Sequence, residues 1–69
     1  MSEVTILLSG NTNFSYVSDK SVTQLRNELE EAMRNDEKII SVRDDINKHT
    51  IIVNKEKILT IDISEKKDD

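Results

Sequence analysis

Residues 21–35 read S-V-T-Q-L-R-N-E-L-E-E-A-M-R-N. Val22, Leu25, Leu29, Ala32 and Met33 recur there at the three- and four-residue spacing that lines up one stripe of an α-helix, while Arg26, Glu28, Glu30, Glu31 and Arg34 take the rest of the circumference. No other segment has that period. Ser21 and Gln24 have the spacing of a capping box, in which the serine hydroxyl accepts from the third helical amide and the glutamine reaches back to the cap. The helix therefore starts at Val22, and Asn35-Asp36 marks its exit, asparagine being the second choice after glycine for a left-handed C-terminal residue. Everything on either side reads as short strands, so this helix is the cover for one face of a small sheet.

Working outward, residues 4–9 alternate Val4, Ile6 and Leu8 against Thr5, Leu7 and Ser9, as a half-buried strand does. Gly10, the chain's one glycine, and Asn11 suit a tight turn that needs positive φ. Phe14 and Tyr16 then alternate with Ser15 and Val17 in a second strand over residues 13–17. Beyond the helix, Ile40 and Val42 oppose Ile39, Ser41 and Arg43. Asp44, Asp45 and Asn47 supply a turn, and Ile51 and Val53 oppose Thr50 and Ile52 to complete a hairpin. In the last strand Leu59, Ile61 and Ile63 face away from Ile58, Thr60 and Asp62. The order β-β-α-β-β-β predicts an α+β domain over residues 1–63, a mostly antiparallel sheet with one amphipathic helix on one face. A partly closed five-strand barrel is the alternative. Residues 64–69, S-E-K-K-D-D, carry no apolar side chain and are expected to form a disordered charged tail.

Composition narrows the chemistry. A chain of 69 residues buries only about 60 % of the surface its unfolded form exposes. Small domains make up that deficit with disulfides, a metal or a partner subunit. Here there is no cysteine and one histidine, which leaves the partner subunit. The absence of cysteine, together with an N-terminal apolar run too short for a signal peptide or membrane span, predicts a cytoplasmic protein with no membrane partner. The net charge of −4 disfavours attraction to phosphate backbones. One glycine cannot build a phosphate-binding loop.

The strands hold more aliphatic residues than one helix covers. Leu7, Ile39, Ile52 and Ile58 each sit on the strand face opposite the expected core, and leaving such side chains wet forfeits on the order of 1.5 to 3 kcal/mol each. These four residues are expected to form the centre of a homo-oligomer interface.

Chemically active constellations are sparse. His49 opens a strand beside a turn, where a solvated imidazole is the economical role. Asp44, Asp45 and Asn47 lack the spacing of a calcium loop and are good turn formers. No catalytic, cofactor or metal residue is assigned, and the chain is expected not to be an enzyme. Two charged surfaces remain as binding candidates. Lys48, His49, Lys55 and Lys57 cluster about the C-terminal hairpin as a candidate nucleic-acid edge, and also read as lysines guarding a sheet edge. Glu28, Glu30, Glu31 and Glu37 spread carboxylates over the helix as a candidate surface for a basic partner.

Residues 53–61, V-N-K-E-K-I-L-T-I, resemble the final strands of Sm-like barrels, without that family's glycine-containing motif. The compact chain without Cys or Pro also resembles short accessory proteins of bacterial and phage genomes. The leading expectation is a non-enzymatic, homo-oligomeric binding or regulatory module that acts through a protein-protein surface. The alternatives are a small nucleic-acid-binding ring, an acidic inhibitor occupying a partner's basic surface, and a small-ligand binder at a subunit interface.

Overall fold

A computed structural model describes residues 1–66. Within them run β1 (Ser2–Leu8), β2 (Thr12–Ser18), α1 (Val22–Arg34), β3 (Ile39–Asp44), β4 (His49–Asn54) and β5 (Ile58–Glu65), with a 3-10 turn at Lys55–Lys57. The α+β class and element order are those the sequence predicts. The strands, however, form two antiparallel sheets where one was expected, a three-stranded sheet in the order β2-β1-β5 and the hairpin β3-β4, and they do not close into a barrel.

Local chemistry sets the elements. Ser21 holds extended backbone and its Oγ accepts from the Gln24 amide at 3.2 Å, so α1 starts at Val22 as expected, with the serine half of the capping box formed and no return bond from the Gln24 side chain. The exit differs from expectation. Asn35 is extended (φ −72°, ψ 169°) and not left-handed, and its side-chain oxygen turns the chain by accepting from the Glu37 amide at 2.9 Å. Gly10 (φ 89°) and Asn11 (φ 59°) form the positive-φ turn between β1 and β2.

One core draws on both sheets and the helix. Val4 and Ile6 of the central strand are wholly inaccessible, and Tyr16, Leu25, Leu29, Ile40, Val42 and Val53 are buried with them. Leu25 and Leu29 are the buried residues of the helical stripe. Val17, read as outward-facing, is also buried. At that point the β3–β4 turn meets β2, and the Asp45 amide donates to the Val17 carbonyl at 2.8 Å.

The last strand departs twice from its reading. Its pairing with β1 slips between Leu7, opposite Thr60, and Leu8, opposite Ile58, which leaves Leu59 unpaired in a bulge. The extra residue reverses the alternation on its N-terminal side. Ile58 packs against the core together with Ile61 and Ile63, and Leu59, expected inside, is 64 % exposed. The strand also runs past Ile63. Glu3 and Ser2 of β1 pair with Ser64 and Glu65, and the Lys66 amide donates to the Met1 carbonyl at 3.0 Å. Ser64, Glu65 and Lys66 are thus no disordered tail; residues 67–69 lie outside the described residues.

Candidate binding surfaces

The four aliphatic residues expected to make one interface are divided by the fold. Leu7 lies on the outer face of the three-stranded sheet, among Thr5, Ser15 and Thr60, with Thr5 and Ser15 joined through their hydroxyls at 2.8 Å. Ile39 and Ile52 lie on the outer face of the β3–β4 hairpin. Ile58 is turned inward by the bulge and leaves the set, because the slipped register puts it on the core face. In the hairpin Ile39 is opposite Asn54 and Ser41 opposite Ile52, so the two isoleucines are diagonal neighbours on one face. They are 50 % and 64 % exposed.

The basic residues do not share an edge. Lys48 and His49 sit at the turn that opens β4, whereas Lys55 and Lys57 lie in the 3-10 turn past its other end. Six residues of extended strand separate the pairs by roughly 17 Å, a consequence of the strand's rise per residue. Lys55 is further tied down, its ammonium donating to both the backbone and side-chain oxygens of Asn35. His49 is exposed, 4.0 Å from a buried Asp44 carboxylate. That carboxylate organises the β3–β4 turn by accepting from the Ile46 and Asn47 amides at 3.0 and 3.2 Å and from the Asn47 side chain at 2.9 Å. The Asn47 side-chain bond is the main reason the Asp44 carboxyl is held below its ordinary pKa. Asp44, Asp45 and Asn47 therefore behave as turn formers. No cluster of three potential metal ligands occurs among the described residues.

The acidic helix surface is partly neutralised by its own neighbours. Glu28 takes the Lys20 ammonium on both oxygens, at 2.7 and 2.9 Å, and Glu30 pairs with Arg26 at 3.2 Å and Arg34 at 3.8 Å. Glu31 and Glu37 are exposed farther along the helix and its exit.

Two concavities were not anticipated from the sequence. Where β2 and β3 diverge from the Val17–Asp45 bond, a cleft of about 270 Å³ opens beneath α1, lined by Tyr16, Leu25, Glu28, Ile40 and Arg43 among others. Burial, and secondarily the Glu28 carboxylate, push the Tyr16 phenol up to about 12, so it is neutral at physiological pH. The second is a shallower groove of about 390 Å³ between α1 and β5, with an apolar floor of Leu29, Met33, Ile61 and Ile63 and a rim of Arg26, Glu30 and Arg34. Met33 lies on the helical stripe yet is 38 % exposed, and Ile61 and Ile63 are only half-buried. The signal for this groove was the width of the stripe; what the sequence withheld was that β5 is an edge strand.

No helix of the described residues is long and apolar enough to cross a membrane. Comparison of the chain with protein-family models, with curated proteins and with solved structures finds no match.

Proposed function

We propose that this chain is a small homo-oligomeric binding module that acts through a protein-protein surface and performs no chemistry of its own. The observation that carries the reading is the pair Ile39 and Ile52, two β-branched side chains diagonal to each other on a hairpin face where both are at least half exposed. Ser41 and Arg43 of β3 and Thr50 and Asn54 of β4 surround them on the same face, which gives an apolar centre inside a polar rim. The pairing of Glu28 and Glu30 with neighbouring cations and the dispersal of the lysines favour this face over the acidic and nucleic-acid surfaces.

The test is cross-linking mass spectrometry in the cells that make the protein, with the unmutated chain beside Ile52→Lys, each checked for fold by circular dichroism. A protein cross-linked through the β3–β4 hairpin and lost with Ile52→Lys supports the reading, because an unpartnered ammonium is costly in a dry interface centre. A partner retained by the folded variant overturns the choice of face. Recovered nucleic acid, with affinity falling steeply between about 50 and 200 mM salt, replaces the reading with the nucleic-acid one.

A further inference from the structure

The self-association in that reading has a place in the fold, and it is not the outer faces of the sheets. We infer that a second copy of this chain pairs antiparallel along the free edge of β5, about a two-fold axis at Ile61, and that the two α1–β5 grooves close on each other. This rests on the homo-oligomeric part of the proposed function.

The backbone supplies the first argument. β5 is an edge strand of eight residues, with β1 on one side only. The Lys66 amide points to Met1 of β1, so by the two-residue period the peptide groups of Ile61 and Ile63 point to the free edge. Proline, lysine and a short length, three of the usual guards of such an edge, are absent from residues 58–65, I-L-T-I-D-I-S-E, and the Leu59 bulge lies near the strand's N-terminal end, leaving Thr60 to Glu65 regular. The other edge of that sheet is obstructed at its C-terminal end, where the β3–β4 turn meets β2 through the Val17–Asp45 bond.

The pattern of side chains supplies the second. An antiparallel pairing that sets Ile61 opposite its own copy sets Asp62 opposite Thr60, so Asp62 avoids its own copy on the outer face. Pairing about Asp62 instead would put two carboxylates face to face.

The groove supplies the third. A two-fold axis normal to the sheet keeps both helices on one side. The half-buried Ile61 and Ile63 and the exposed Met33 of each copy then look into a common space, and the result is a six-stranded sheet under two helices. The rim brings no unpaired carboxylate to the contact, since Glu30 lies between Arg26 and Arg34 of its own copy. What is an open groove in one chain becomes the apolar centre of an interface in two.

Three preparations test this. The unmutated protein should sediment at twice 7.9 kDa at micromolar concentration. Met33→Asp, at a position already exposed in the single chain, should keep the circular dichroism spectrum and sediment at 7.9 kDa. Ile61→Cys places one thiol in a chain without cysteine, and mild oxidation should convert it to a covalent dimer. Residues directly opposite in a hydrogen-bonded antiparallel pair have Cα atoms about 5.5 Å apart, within disulfide reach. A dimer that survives Met33→Asp, or one whose thiols at position 61 stay unlinked, overturns the β5 geometry and leaves the functional reading standing. An unmutated protein that sediments as a monomer, as it would if the edge were kept for another protein's strand, overturns both.

Discussion

The two sheets bury the same kind of residue to different depths. β1 has a strand on each side and the helix above it, and its Val4 and Ile6 are wholly inaccessible. The β3–β4 hairpin has one ladder, packs Ile40, Val42 and Val53 inward, and turns Ile39 and Ile52 to solvent. Alternation alone does not separate these cases, because Leu7 and Ile52 occupy equivalent outward positions in equivalent patterns. What separates them is the number of neighbours a strand acquires. The central strand anchors the domain, and the hairpin, held by a single ladder, is a place where a binding face can exist without touching that strand.

Truncation in the anchor is the largest test of that contrast. Ile6→Ala should cost about 2 to 5 kcal/mol, against a total of about 3 to 10 kcal/mol for a chain this short, and should leave the protein partly unfolded at 37 °C. Val53→Ala in the hairpin should cost clearly less in the same urea titration. Equal losses would show that the hairpin is as integral to the fold as β1.

The hairpin's hold on the rest of the chain runs through its turn. Asp45 donates its amide to Val17 and accepts from the Asp19 amide at 2.8 Å, and Asp44 holds the turn in shape from beneath. Since the Asp44 carboxyl is depressed in the folded state, its contribution is complete above the unfolded value near 3.9 and is lost as pH falls through the lower folded value. Hydrogen exchange followed on acidification should therefore show β3 and β4 opening before β1. In Asp44→Asn that acid-dependent step should disappear, at the expense of a lower melting temperature at neutral pH. Simultaneous opening of both sheets would erase the distinction drawn between them.

A smaller and more even effect is expected from the element both sheets share. Ser21→Ala removes the acceptor for the Gln24 amide and should cost about 1 kcal/mol in a thermal or denaturant melt. Because Leu25 and Leu29 join a core built from both sheets, exchange should quicken in β1 and in β3 alike. Loss confined to the hairpin would mean that α1 supports it and not the three-stranded sheet.

These contrasts mark where the sequence was legible. Helix, cap and strand positions follow from local spacing, which is why Val22, Ser21 and the positive-φ turn at Gly10 and Asn11 fall where expected. Ile39 and Ile52 were also placed correctly on an outward face, since a hairpin's two faces follow from alternation alone. Which strands become neighbours depends on contacts distant in sequence. Hence one sheet was read where two exist, and Leu7 was grouped with isoleucines of another sheet. The Leu59 bulge is a subtler case. It carries no glycine, and the run I-L-T-I at residues 58–61 gives no local sign that its alternation reverses. That single slip turns Ile58 inward and Leu59 outward.

The smallest expected effect belongs to the surface on which the functional reading depends. Ile52 is 64 % exposed and its nearest apolar neighbour on that face, Ile39, is half exposed, so replacing it with lysine removes little buried area from the isolated chain. A lysine stem also lies easily along a strand, with its ammonium in water. Ile52→Lys should therefore shift stability by less than about 0.5 kcal/mol, as exposed substitutions usually do, and under the proposed β5 pairing it should leave the sedimenting mass unchanged. A loss above about 1 kcal/mol that grows as protein concentration is raised would have a different meaning. It would show that the hairpin face is already covered by another copy of the chain, because only a contact between copies makes a melting temperature concentration-dependent. The roles of the hairpin face and the β5 edge would then be exchanged.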